Sequence, residues 1–367
     1  MTPLPSPPSP PASGLRRQLL LAGLAGAATW SGAAHALPAQ TLRFPRDRGA
    51  HPDFRTEWWY ITGQATTLNA DQRRFGFQLT FFRSRVDATQ GMASKFAAQQ
   101  LIFAHAAITD VQGQKLWHDQ RIARQGFDIA SASEQDMAIR LRDWSLKAEG
   151  ATYTAELPTS DFALKLQFKE TQSVLLQGNQ GLSRKGPDEK QASYYYSQPQ
   201  LATSGSLQVK GQNFDVSGKA WLDHEWSQEL LHPNAVGWDW IGVNLTDGSA
   251  LTAFRLRDKN GGAVWAGGSF RSAQGSLRIF SHTEVRWQPL RRWISPLSKT
   301  TYPVEWQIQT PAGTYTVKAV IDNQELDSRA STGSIYWEGL SELMDGNGQR
   351  VGSGYLEMTG YGQALKL

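Results

Sequence analysis

The chain has 367 residues, a formal net charge of +4 and no cysteine. Without cysteine, neither disulfides nor thiol chemistry can contribute. Lysine and arginine outnumber aspartate and glutamate by only 37 to 33, and this near-neutral balance argues against a nucleic-acid-binding protein. Tryptophan is unusually frequent, with 14 residues, which is typical of large β-sheet cores or of sites that bind apolar ligands. A chain of this length predicts two domains.

The first 36 residues have the anatomy of an export signal. Arg16 and Arg17 precede an apolar run at residues 19–30, and an Ala-His-Ala cleavage site follows at 34–36. The paired arginines resemble a twin-arginine signal; a general secretory signal or an uncleaved anchor is the alternative. The apolar run is short and rich in glycine and alanine for a membrane span. We therefore expect cleavage near Ala36 and a periplasmic or secreted protein.

From residue 41 onward, the chain shows almost continuous β-strand patterns. Phe75, Phe77, Leu79 and Phe81 alternate with smaller or polar residues, as one buried strand face requires. Many short strands separated by turn signals predict an antiparallel barrel or sandwich. The expected strands of the first half lie at 74–82, 99–109, 127–129, 137–146, 152–157, 162–168, 194–199 and 202–209, with a long loop at 177–191. Helical turns are expected only at 88–100 and 227–231. We predict an all-β protein with two tandem antiparallel β-barrel domains, at residues 37–205 and 206–367.

The stretch HPDFRTEWWYITG at 51–63 combines a turn with a strand that contains a carboxylate. Alternation places Glu57 on one face with Trp59, and Trp58 with Tyr60 on the other. Buried carboxylates are rare and are usually paired. If Glu57 points inward, it therefore needs a cationic or hydrogen-bonding partner.

A second polar cluster, Asp223, His224 and Glu225, lies in the segment GKAWLDHEW at 218–226. A histidine beside carboxylates can act as a general acid or base near neutral pH. In an extended chain, His224 faces away from both of its neighbours, so we expect its partner to be Glu57. The alternative is a purely structural group that orders the mouth of a barrel.

A metal site is a weaker interpretation of this cluster. Adjacent residues of a strand diverge, so His51, His105 or His282 would have to complete the ligand set. The sequence has no metalloprotease spacing, no nucleophile-elbow motif and no glycine-rich nucleotide-binding motif between a strand and a helix. We therefore expect neither a metal nor another cofactor.

Aromatic residues surround these polar groups in the sequence. The segment GWDWIG at 237–242 places Trp238 and Trp240 on one strand face, and GYLEMTGY at 354–361 places Tyr355 and Glu357 on one face. These residues could simply fill wide β-sheet cores. They could also line an apolar chamber with a few polar groups, as small-molecule pockets usually are.

The four segments at 51–63, 218–226, 237–242 and 354–361 together resemble the AttH/CrtC family of lipocalin-like proteins. The resemblance extends over nearly the whole chain after residue 36. It implies two lipocalin-like β-barrels, an exported protein and an apolar cavity. Members include carotenoid 1,2-hydratases, whereas the AttH-like branch is described as secreted hydrolases or as proteins associated with ABC transporters.

The hydratase branch resembles this chain at His224 and Trp226. That branch also has a Tyr-x-Asp pair on a following strand, whereas the corresponding strand here, residues 249–257, contains neither residue type. This difference argues against carotenoid hydration and places the chain closer to the AttH-like branch.

Two functional hypotheses follow from these observations. The first is an exported protein that binds a hydrophobic lipid-like or isoprenoid-like molecule, with an ABC transporter permease as a partner and no role for nucleic acid. The second is a hydratase or hydrolase that uses histidine and carboxylate acid–base catalysis; a well-packed structural protein is a third alternative. The candidate catalytic residues are Glu57, Asp223, His224 and Glu225. The candidate ligand-binding residues are Trp58, Trp59, Tyr60, Tyr195, Trp226, Trp238, Trp240, Tyr355 and Tyr361.

Overall fold

The structure, a computed structural model, describes residues 36–365. The predicted export signal lies outside this range apart from Ala36. Within the described range, no helix is long and apolar enough to cross a membrane. The two short 3₁₀-helices are Arg46–Arg48 and Asp87–Thr89.

Two large antiparallel sheets make up the fold. The strands of the first sheet are β1 (Thr56–Thr67), β2 (Arg74–Arg85), β3 (Gln100–Asp110), β4 (Lys115–Arg124), β5 (Ala130–Ala132), β6 (Ala138–Leu141), β7 (Trp144–Glu149), β8 (Thr152–Pro158), β9 (Phe162–Lys169), β10 (Leu175–Leu176), β11 (Leu182–Arg184), β12 (Ala192–Val209) and β13 (Gln212–Glu229). The strands of the second sheet are β14 (Ala235–Leu245), β15 (Ala250–Asp258), β16 (Ala263–Arg271), β17 (Leu277–Phe280), β18 (Arg286–Ile294), β19 (Thr301–Thr310), β20 (Gly313–Ala319), β21 (Glu325–Ser328), β22 (Ser334–Met344) and β23 (Arg350–Met358).

The strand order shows how distant segments of the chain meet. The first sheet runs β4-β3-β2-β1-β13-β12-β9-β8-β7-β6-β5, and β10 and β11 pair with β12. The second runs β17-β16-β15-β14-β23-β22-β20-β19-β18, and β21 pairs with β22. Strand β1 therefore pairs with β13, which is the last strand of the first sheet along the chain. In the second sheet, the first strand, β14, likewise pairs with the last, β23. These pairings confirm the all-β prediction of lipocalin-like antiparallel barrels.

Each barrel has an apolar core, and a third apolar cluster joins them. Alternation in β2 buries Phe75, Phe77, Leu79 and Phe81 completely, as predicted. The third cluster combines side chains of both sheets, including Tyr60 from β1 and Trp240 from β14. Hydrogen bonds also cross between the sheets; Gln200 Nε2 donates to Ser249 O at 2.7 Å. This contact surface between the sheets positions the candidate site.

The predicted domain boundary at residues 205 and 206 falls inside strand β12. The chain passes from the first sheet to the second later, between Glu229 and Ala235. The division into two domains stays a prediction.

Several local predictions were wrong; for example, the single strand expected at 137–146 is two strands, β6 and β7. Residues 127–129 are not a strand, because Phe127 and Asp128 have φ values of +56° and +55° and form a left-handed turn before β5. The segment 88–100 contains only the end of one 3₁₀-helix. Residues 227–229 continue β13 rather than forming a helical turn, because Ser227 pairs with Thr56.

Candidate functional site

A cavity of about 320 Å³ lies where the two sheets face each other. Aromatic side chains from both sheets form much of its wall. Trp58, Tyr60 and Tyr195 come from the first sheet, and Trp238 and Trp240 from the second. Strand alternation explains the arrangement, because residues 58 and 60 of β1, like 238 and 240 of β14, share one strand face. A wall that is mostly apolar, with polar side chains placed among the aromatic rings, is the composition of a small-molecule site.

Four carboxyl groups line the same cavity. Asp223 and Glu225 belong to β13, whereas Glu338 and Glu357 belong to β22 and β23. All four residues are nearly inaccessible to solvent or half-buried. Glu338 and Glu357 are directly opposite each other in the antiparallel pairing of β22 with β23. Like charges at directly opposite positions repel, so this pair favours a state in which at least one of the two carboxyl groups is protonated.

Hydrogen bonding differs among these carboxyl groups. Asp223 accepts hydrogen bonds from Tyr195 Oη at 2.9 Å, Ser197 Oγ at 2.5 Å and Trp221 Nε1 at 2.7 Å. By contrast, Glu338 Oε1 and the hydroxyl of Tyr60 make no hydrogen bond of standard geometry in the described part of the chain, although the Tyr60 and Tyr336 hydroxyls lie close enough to the Glu338 carboxyl group to lower its pKa. Buried polar atoms without partners are rare in native proteins. These two atoms are therefore available to a bound ligand or to water.

Burial makes Asp223, Glu338 and Glu357 weaker acids than exposed carboxyl groups. Burial raises the pKa of Asp223 to about 7, although its hydrogen bonds lower it. Burial also raises the pKa values of Glu338 and Glu357, and the charge of Glu357 raises that of Glu338 further. A protonated carboxylic acid can therefore persist in this cavity near neutral pH.

A second polar cluster lies inside the first barrel, on the face of strands β1 and β13 that points away from the cavity. Glu57 Oε1 is 2.9 Å from His224 Nε2 and 2.7 Å from His51 Nδ1. Arg83 Nε donates to Glu57 Oε2 at 2.7 Å. The side chains of Glu57, His224 and Arg83 are almost fully buried. The expected contact between Glu57 and His224 is therefore present.

Aromatic rings enclose this cluster. The rings of His51 and Trp226 stack with centroids 3.8 Å apart and planes 5° from parallel. Trp59 stacks on His224 at 4.8 Å. The pKa of Glu57 is held well below its ordinary value because hydrogen bonds from His224 and His51 outweigh the effect of burial. This cluster is a compensated, packed ion-pair network.

The same cluster contains the described residues best placed to hold a metal ion. Potential ligand atoms of His51, Glu57 and His224 all lie within 4.8 Å of one another. However, both oxygens of Glu57 are already engaged, and the Arg83 guanidinium would face any added cation. This donor set does not fit a metal ion well.

The candidate residues from the sequence thus fall into separate places. The cavity is lined by Trp58, Tyr60, Tyr195, Asp223, Glu225, Trp238 and Trp240. Glu57 borders the cavity, but its carboxylate belongs to the cluster inside the first barrel together with His224, Trp59 and Trp226. Tyr355 belongs to the cluster between the sheets, and the hydroxyl of Tyr361 donates to Asp239 at 2.9 Å. Neither of these tyrosines lines the cavity.

Four side chains of the cavity and of the buried cluster were not predicted. Arg83 follows directly after the predicted strand 74–82, and extending that strand by one residue would have placed it opposite Glu57. Glu338 directly follows Tyr336 and Trp337 in its strand, and a carboxylate next to two aromatic residues was a usable signal. Glu357 was placed on one strand face with Tyr355 but was not chosen as a candidate site residue. Lys185 lies in a loop without a periodic pattern, so no sequence signal places it in the cavity.

The fold and the cavity define a lipocalin-like double β-barrel with an aromatic chamber between its sheets. The AttH-like family model matches residues 35–361, and the chain belongs to this family. No curated protein shows a significant sequence match to it.

Solved structures agree with this assignment. A protein of Nitrosomonas europaea assigned as an AttH is 44% identical, with a TM-score of 0.82; the match covers 89% of this chain and 99% of that one. Kievitone hydratase of Nectria haematococca is 13% identical, with a TM-score of 0.67 and coverage of 91% and 95%. CghA is 12% identical, with a TM-score of 0.52 and coverage of 90% and 98%. The last two similarities concern the fold alone.

Proposed function

We propose that the protein binds an apolar small molecule in the cavity between the sheets and catalyses the addition or removal of water at a carbon–carbon double bond. The observation that carries this proposal is the pair Glu338 and Glu357, which are opposite each other in an aromatic cavity. A cavity used only for packing has no need of paired carboxyl groups, whose burial is costly.

The pair can supply both an acid and a base without a cofactor. Protonated Glu338 gives its proton to one alkene carbon, and the alkene π electrons form the new C–H bond. The oxygen of a water molecule then bonds to the resulting carbocation, and the Glu357 carboxylate takes a proton from that water. Transfer of the proton from Glu357 to Glu338 restores the starting state. The reverse sequence removes water.

The aromatic wall supports the binding step. Burial of an apolar ligand contributes roughly 25 cal/mol per Å² before the costs of ordering are subtracted. Trp240 is oriented by its Nε1–H, which donates to Tyr195 Oη at 3.3 Å. The Tyr60 hydroxyl and Glu338 Oε1, neither of which makes a hydrogen bond of standard geometry, would hold the reacting water or a substrate hydroxyl. Kievitone hydratase has the same overall fold and, by its name, performs a hydration.

The test begins with ligand discovery. The purified protein is extracted with organic solvent, and the extract is examined by mass spectrometry for apolar unsaturated molecules. These are then incubated with the protein in water labelled with ¹⁸O. We expect ¹⁸O to appear in the product with the wild type and to fall by about 100-fold or more with Glu338→Gln.

Glu342→Gln is the matched control on the same strand, because Glu342 pairs with Arg74 and does not line the cavity. Full ¹⁸O incorporation by Glu338→Gln would contradict the acid–base role.

A non-catalytic carrier is the second candidate function. It is favoured by the aromatic wall, which would suit a lipid-like or isoprenoid-like cargo equally well. In this proposal the protein is exported and delivers its ligand to an envelope ABC transporter. Stable binding of an extracted ligand, with no chemical change by the wild type, would support the carrier over the enzyme.

A further inference from the structure

Lys185 brings the positive charge of an ammonium group into the cavity between the sheets. It lies in the loop between β11 and β12 and is only 5% exposed, although lysine is rarely buried unless it is paired. Its side chain lines the same cavity as Glu338 and Glu357. The proposed hydration chemistry does not use it.

The contacts of the ammonium leave part of its donor capacity unused. Lys185 Nζ is 2.9 Å from Glu225 Oε1. It also lies 4.7 Å from the ring centre of Tyr195 and 4.3 Å from that of Phe254. Among residues 36–365, Glu225 provides the only oxygen partner of Nζ. Because an ammonium has three N–H donors, two remain for a ligand.

The loop holds this ammonium in place without a ligand. The backbone N–H of Lys185 donates to Gln191 O at 2.7 Å. In the segment before β11, Gln177 Nε2 donates to Ser197 Oγ at 2.9 Å, and Ser269 Oγ of the second sheet donates to Gln177 Oε1 at 2.8 Å. A donor that is already positioned binds an acceptor with little additional ordering cost.

The charges in the cavity indicate which acceptor fits. Apart from Glu57 and Arg83, which pair with each other, four carboxyl groups and this one ammonium line the chamber. A ligand carboxylate would add a further negative group beside them, whereas a neutral carbonyl oxygen can accept from the ammonium without that repulsion. We propose that Lys185 binds a carbonyl oxygen of an uncharged, apolar ligand. This assignment rests on the proposed function, because it names the substrate class of the same cavity.

Two probes of the same shape test the assignment. 1-Acetylnaphthalene carries a carbonyl oxygen, and 1-ethylnaphthalene has two hydrogen atoms in place of that oxygen. Binding of each is measured by equilibrium dialysis to the wild type and to Lys185→Met. We expect Lys185→Met to weaken binding of the ketone by about tenfold, as for loss of a hydrogen bond to a charged group, and to leave binding of the hydrocarbon unchanged.

Two further variants control the experiment. Lys190→Met removes a lysine of the same loop whose side chain is 35% exposed and pairs with Asp188 and Glu229, so both probes should bind as to the wild type. The double variant Lys185→Met/Glu225→Gln removes both charges and avoids an unpaired Glu225; it should show the same selective loss of ketone binding.

The outcomes separate the two proposals. Equal affinity changes for ketone and hydrocarbon in both Lys185 variants would overturn the role of Lys185 while leaving the cavity proposal intact. Binding of neither probe to the wild type would overturn the proposed apolar cavity, and the carbonyl site with it. Selective loss of ketone binding in the Lys185 variants supports both the carbonyl site and the apolar cavity.

Discussion

Two groups of buried carboxylates differ in how their charges are compensated: Glu57 of β1 lies inside the first barrel, whereas Glu338 of β22 and Glu357 of β23 line the cavity between the sheets. Inside the first barrel, Glu57 is held by Arg83 and two histidines. In the cavity, Glu338 Oε1 makes no hydrogen bond of standard geometry with the described residues. Glu338 is also directly opposite Glu357 in the pairing of β22 with β23. The first arrangement stabilises the negative charge, whereas the second disfavours it. A stabilised charge serves structure, and a destabilised one can give and take protons.

The first prediction breaks the compensated cluster. Arg83→Leu should reduce the free energy of unfolding by about 3–5 kcal/mol, because Glu57 would remain buried with its guanidinium partner removed. At pH 4.5, where the raised pKa keeps Glu338 protonated, Glu338→Gln should change it by no more than about 1 kcal/mol, since a neutral acid is replaced by a neutral amide of nearly the same shape. Urea unfolding followed by tryptophan fluorescence measures both. Similar losses in the two variants would show that the clusters do not differ as argued.

The second prediction compares a tryptophan from each region. Trp226 stacks on His51 inside the first barrel, so Trp226→Leu should cost about 2–4 kcal/mol of stability and leave binding of 1-ethylnaphthalene nearly unchanged. Trp238 lines the cavity and is half-buried, so Trp238→Leu should weaken that binding several-fold with a smaller loss of stability. A binding defect confined to Trp226→Leu would place the ligand inside the barrel instead.

Strand alternation predicted the separation of the two faces of each strand but not their occupants. It correctly grouped Glu57 with Trp59, Asp223 with Glu225, and Trp238 with Trp240. It could not show which face of β13 would meet the second sheet, so His224 and Trp226 were grouped with cavity residues. The pairing of Glu338 with Glu357 depends on the register of β22 and β23, which no local pattern specifies. Lys185 reaches the cavity from an irregular loop, where periodicity carries no information.

The third prediction concerns the dependence of stability on pH. A carboxyl group whose pKa is raised by folding holds more protons in the folded state, so its contribution to stability falls as pH rises from about 4.5 through the folded pKa. For Asp223 that folded pKa is about 7. The pKa values of Glu338 and Glu357 are also raised, so Glu338→Gln/Glu357→Gln should gain stability relative to the wild type as pH increases.

The gain follows from linkage, in which each unit of pKa shift corresponds to about 1.4 kcal/mol. Urea midpoints of the wild type and the double variant between pH 4.5 and 8 measure it. A constant difference between the two proteins over this range would show that these carboxyl groups do not titrate with raised pKa values.

The smallest expected effect separates the two histidines that share Glu57 Oε1. Burial lowers the pKa of His51, but hydrogen bonds to Asp47 and Glu57 outweigh it and leave the pKa raised. Burial lowers the pKa of His224 to about 4 despite its bond to Glu57. His51 therefore stabilises the fold below pH 6.5 and loses this contribution as pH rises through its folded pKa. His224 has the opposite sign, because its neutral folded form costs stability as pH falls from 6.5 towards 4. Ring ¹H–¹⁵N NMR spectra, assigned with His51→Gln and His224→Gln, should show two separate titrations on either side of 6.5; a common midpoint would mean that the cluster holds one shared proton instead.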